Sequence, residues 1–110
     1  MKVNGTNISM TRGDSETITV SCEERPFTAG DVLIFTVKKS VYDTAVKLQK
    51  VVKTFTEDGK AVIEILPEDT SDLSFRTYCY DIQLTDADGT VTTIIKPSNF
   101  KIEAEVTCRE

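Results

Sequence analysis

The chain has 110 residues, of which 13 are basic and 18 acidic, giving a net charge of −5; it contains three cysteines and no histidine. That length makes one domain, residues 1–110, able to bury a core without metal or disulfide staples. The acidic balance disfavours nucleic acid, whose phosphates demand clustered Lys and Arg, and the missing histidine removes Ser-His-Asp and Cys-His catalysis with the commonest metal ligand.

The N-terminus has no apolar core of signal-peptide length, and no run approaches a membrane span, so a soluble chain made in the cytoplasm is expected. The short run "NISMT" leads into Arg12-Gly13-Asp14, a tripeptide that adhesion ligands display on loops. Adhesion needs a secreted protein, whereas a turn accounts for each residue: Gly13 permits positive φ, and Asp14 and Ser15 can bond nearby backbone. In "SETITVSC", Ile18, Val20 and Cys22 alternate with polar residues, as in a half-buried strand. The turn "FTAGD" precedes "DVLIFTVKK", which is apolar on both faces in its first half, as expected of a central strand.

Next, "SVYDTAVK" fits a loop, a helical turn or a strand continuation, and "LQKVVKTF" reads as a strand. Lys38, Lys39, Lys47, Lys50 and Lys53 form the nearest thing to a basic cluster; interleaved as they are, they read as a solvated face. "TEDGK" carries Asp-Gly, a hairpin signal, before the strand "KAVIEIL". "LPEDTSDLS" has Pro67 followed by Glu68 and Asp69, which suits one short helical turn. "YCYDIQLT" places Tyr78, Tyr80, Ile82 and Leu84 on one face and Cys79, Asp81 and Gln83 on the other. A second Asp-Gly turn, "TDADGT", precedes two further strands, "TVTTIIK" and "NFKIEAEVT". In the latter, Phe100, Ile102, Ala104 and Val106 share the inner face.

These elements predict an all-β fold, an immunoglobulin-like antiparallel β-sandwich of seven or eight strands with one short helical turn. The buried Trp and paired Cys of antibody domains are absent. Cys22, Cys79 and Cys108 are too widely spaced for a disulfide framework or zinc knuckle and read as free, partly buried thiols. Asp86-Ala87-Asp88-Gly89 contains the Asp-x-Asp-Gly of calcium loops, but position twelve, where an EF-hand needs Glu, is Pro97, so a hairpin turn is expected. A carboxylate pair is the one catalytic device the composition leaves formally open, and the acids lie mostly in turns or at outward positions. Catalytic, cofactor-binding and metal-binding residues are therefore expected to be none, and no cofactor is expected.

The succession "MTRGDSETITV", "GDVLIFTVKKSVYDTAVKLQKVV", "GKAVIEILPEDTSDL" and "YCYDIQLTDADGTVTTIIKPSNFKI", closing with "EAEVT", resembles small phage and prophage proteins of Gram-positive hosts, particularly Firmicutes. It is similar to the N-terminal domain of the phage baseplate upper protein, in order, from Ser9 to Thr107. The resemblance implies a β-sandwich that attaches to the tail baseplate, with other tail or baseplate proteins as partners and no catalytic residues. Longer family members carry receptor-binding parts downstream. This sequence ends with the domain, so a docking or accessory role is expected, in the bacterial host cytoplasm during assembly and in the virion tail of a functional prophage.

A docking surface would use a strand edge or outward apolar residues, for which Val32, Ile34 and Ile94 are the candidates. The expectation for these three is that the sandwich itself covers them. The alternative function is a carbohydrate- or ligand-binding module on the same scaffold. Such modules stack aromatic rings on sugars; this chain has no Trp, and Tyr42, Tyr78 and Tyr80 are its only tyrosines, with the last two expected in the core.

Overall fold

A computed structural model describes residues 1–106. Its strands are β1 (Lys2–Asn4), β2 (Asn7–Thr11), β3 (Glu16–Val20), β4 (Val32–Lys38), β5 (Val46–Val52), β6 (Ala61–Ile65), β7 (Arg76–Thr85) and β8 (Val91–Glu103), with one helical turn, α1 (Pro67–Thr70), between β6 and β7. Six strands form one sheet in the order β1-β2-β8-β7-β4-β5, and β3 pairs with β6 in a second sheet. The protein is all-β with two sheets, as the alternation predicts.

Strict alternation in β4, β6 and β7 sends every second side chain inward. Leu33, Phe35 and Val37 from β4 meet Tyr78, Tyr80, Ile82 and Leu84 from β7 and Phe100 and Ile102 from β8. Ala61, Ile63, Ile65 and Val20 close the core from the smaller sheet. Phe35 lies at its centre, with ring centroids 5.3 Å from Tyr80 and 5.9 Å from Phe100. This aromatic trio packs edge-on and tilted, as rings in a core prefer. Tyr78 donates through its hydroxyl to the Ser74 carbonyl at 3.1 Å, four residues upstream, the tyrosine corner of immunoglobulin-like sandwiches. The Tyr80 hydroxyl donates to the Thr6 carbonyl. Both tyrosines are structural.

Four expectations are corrected. The sandwich is not wholly antiparallel: β2 runs parallel to β8, in the register Ile8↔Phe100 and Met10↔Ile102. These strands come from opposite ends of the chain, so no tight turn forces them antiparallel. The "TEDGK" turn is not a hairpin. Its bonds, Thr56 N–H to the Lys60 carbonyl and Gly59 N–H to the Thr56 carbonyl, close a loop that carries the chain from β5 in one sheet to β6 in the other. The two final runs are one 13-residue strand, β8, with irregular register opposite Tyr80–Gln83. Pro97, which has no N–H for the ladder, lies in that irregularity. Finally, the alternation ends at Glu103, and Ala104 and Val106 are exposed rather than inward. The segment "SVYDTAVK" is a loop that enters β5 at Val46.

Candidate docking surface

The smaller sheet covers only the inner face of the larger one. Among the described residues no second layer lies on the outer face of β5-β4-β7-β8, which carries a depression of about 350 Å³. Pairing across the strands builds its floor. Ile34 is opposite Val51 and Gln83, Thr36 opposite Gln49 and Asp81, and Lys38 opposite Cys79. Gln49 donates its side-chain N–H to Thr36 Oγ1 at 3.2 Å. The rim includes Val41 and Val46, 50% and 47% exposed, and the next residue after Val41, Tyr42, is 92% exposed. Hydrogen-bonding side chains interspersed with partly exposed apolar ones are what a wet, non-obligate contact offers a partner.

Val32 and Ile34 lie on this uncovered face, half-buried by their own neighbours, so the expectation that the sandwich covers them fails. Covering both faces of a central strand takes a third layer, and the described residues supply two. Ile94 differs: it falls in the irregular part of β8 and packs, half-buried, against the core.

Cys79 and Cys22 are free and half-buried, and Cys108 lies outside the described residues. Burial, and secondarily the negative charge of Asp81, push the Cys79 thiol above its ordinary pKa, which keeps it protonated and a weak nucleophile. Asp86 spends its carboxylate on its own loop, accepting from the Asp88 and Thr90 N–H groups at 2.9 and 3.0 Å, so the motif is a hairpin turn between β7 and β8. Among the described residues there is no group of three or more His, Cys, Asp or Glu side chains placed to hold a metal. Among the described residues no helix is long and apolar enough to cross a membrane.

Arg12-Gly13-Asp14 forms a turn at the other end of the molecule, and Arg12 is engaged rather than displayed. Its Nη2 and Nε donate to Glu105 at 2.8 to 3.2 Å, and Nη1 to the Leu73 carbonyl at 3.3 Å. The guanidinium lies 4.0 Å from the centroid of the Phe75 ring. These bonds hold the Glu105 carboxyl below its usual range. The Gly13 N–H donates to Thr70 Oγ1 at 2.8 Å, in a side chain with no solvent exposure. The tripeptide thus ties the β2–β3 turn to α1 and to the segment after β8.

Sequence reasoning missed two features. One is Asp31, buried at 3% exposure, which accepts from both terminal nitrogens of Arg25 at 2.8 and 3.0 Å and from the Thr28 N–H at 2.9 Å. Its position in "FTAGD" read as an ordinary turn. The other is the pair of exposed residues Val41 and Tyr42, which no periodicity marks. No protein-family model matches the chain, and a search of the curated proteins finds no match either.

Proposed function

We propose that this is a non-enzymatic structural protein of a phage or prophage, a tail or baseplate component or accessory that acts by docking to other tail proteins. The observation that carries the proposal is the open outer face of the six-stranded sheet, where Ile34 and Val46 lie beside hydrogen-bonding side chains with no layer above them among the described residues. The ordered motif succession from Ser9 to Thr107 supplies the kind of assembly. The test is co-sedimentation with tail particles of Ile34→Asp and Gln83→Arg variants. Both side chains lie on the outer face, so each variant keeps a cooperative melt but leaves the particle fraction. Retention of both in particles at wild-type levels would contradict docking through this face.

A second function, a carbohydrate- or ligand-binding module, is favoured by one feature: Thr36, Gln49, Asp81 and Gln83 line a depression with Val41, whose sequence neighbour Tyr42 is exposed. Tyr78 and Tyr80, both 3% exposed, have no ring face to offer a sugar. Docking predicts a blank glycan array. Binding that is lost in Tyr42→Ala would favour the module instead.

A further inference from the structure

The strand β5 ends the larger sheet, and the side turned away from β4 has no backbone partner among the described residues. It is seven residues long, or about 23 Å at the usual rise of a strand. Unpaired strand edges of that length are templates for another chain, and proteins commonly protect them with lysine. Lysine protection alone would leave the edge closed to every partner. The distribution of charge and space here is more selective.

Residues 38–53 contain five lysines and a single acid, Asp43, a net of +4 within a chain of net −5. Lys50 is turned inward and tied to Asp69 at 2.7 Å. The other four, Lys38, Lys39, Lys47 and Lys53, form no ion pair among the described residues; of these, Lys47 lies near the start of the edge strand and Lys53 directly follows its end. A cleft of about 420 Å³ separates β5 from β6, lined by Val52, Phe55 and Ile63 and, among charged groups, by Lys50, Lys53 and a single acid, Glu64. A second β5 edge brought alongside this one would set lysine against lysine. An extended segment bearing Asp or Glu would instead meet opposite charge, and an apolar side chain on it would reach the cleft.

We propose that the β5 edge is a β-augmentation site for an extended acidic segment of another protein, carboxylates flanking an aliphatic residue. The proposal deepens the docking function by naming the partner's chemistry. The backbone of the segment extends the sheet, Lys47 and Lys53 select its charge, and the cleft between β5 and β6 takes its aliphatic side chain.

The probe is a synthetic peptide, Glu-Val-Glu-Leu-Glu-Val-Glu, titrated into the isotope-labelled full chain by NMR, with the Lys-for-Glu peptide as control. The expected result is saturable shifts in the amides of Val46–Val52 and around the cleft, weakening as salt rises, with no response to the lysine peptide. The double variant Lys47→Glu, Lys53→Glu lowers affinity at least about tenfold, as loss and reversal of rim charge should. Those side chains are exposed, and an unchanged amide spectrum elsewhere shows that the variant is folded. Equal binding of both peptides, no binding, shifts confined to the outer-face depression, or concentration-dependent pairing of β5 with a second copy would each overturn the proposal. Particle association is read separately, by sedimentation, so the docking function and the acidic-segment site can fail independently.

Discussion

Gly59 shows how much one residue can carry in this fold. Its φ is +75°, a conformation that costs an L side chain roughly 1–2 kcal/mol. An added Cβ would lie 2.2 Å from Pro26 Cβ, and the Gly59 carbonyl accepts from the Phe27 N–H at 2.9 Å. Gly13 has a similar φ, +83°, but its added Cβ would meet only Glu105 Oε2, at an ordinary 3.6 Å. Gly13→Ala should therefore cost about 1–2 kcal/mol and Gly59→Ala a further 1–3 kcal/mol for the overlap, measured by urea unfolding. Equal costs would mean that the approach of Pro26 does not constrain the turn. Asp31 makes a prediction in pH. Its folded pKa is depressed, first by the Arg25 hydrogen bonds and then by the Thr28 N–H, against the cost of burial. The stability it contributes is present above the unfolded pKa and is lost as pH falls through the folded one. Asp31→Asn should be less stable than wild type at neutral pH, with the gap shrinking below about pH 4. A gap that stays constant into the acid range would rule out the charged form as its source. Neither residue announces itself in the sequence, where both read as generic turn formers; what matters is which backbone the turn touches.

At the scale of elements, period-two alternation identified β3, β6, β7 and the second half of β8, an apolar run between turns identified β4, and Pro67 with two acids marked α1. Side-chain alternation is a local property, so it survives without knowledge of the partner strand. Ile102, 1% exposed, and its neighbour Glu103, exposed, are the sharpest test. Ile102→Asp should destabilise by more than about 3 kcal/mol, because it buries an unpaired carboxylate against Met10 and Phe100. Glu103→Lys should stay within about 0.5 kcal/mol. Similar unfolding midpoints for the two variants would contradict the face assignment of β8. Alternation could not show that Pro97 interrupts a single strand instead of separating two. It also could not show that β1, three residues long, is a strand at all.

At the scale of the molecule, the all-β two-sheet class followed from strand count and turn spacing, but the partition of strands did not. Asp-Gly in "TEDGK" carries the same local signal as in "TDADGT", yet one turn changes sheets and the other closes the β7–β8 hairpin. The difference is set by the core: Ala61, Ile63 and Ile65 bury against the inner face of the larger sheet only if β6 leaves β5 and joins β3. That partition of six strands to two leaves the outer face of β4 open, so Val32 and Ile34 were legible as outward residues while their lack of cover was not. The five lysines of residues 38–53 were legible as a cluster, but the place of Lys47 and Lys53 at a sheet edge required the topology.

The central claim, that this protein is a docking component of a phage tail, is tested most directly by quantitative mass spectrometry of gradient-purified particles from an induced culture of the source strain. The docking account predicts the chain in intact particles at a fixed ratio to the major tail proteins. Its absence from intact particles, with the chain present in the same lysate, would contradict that account.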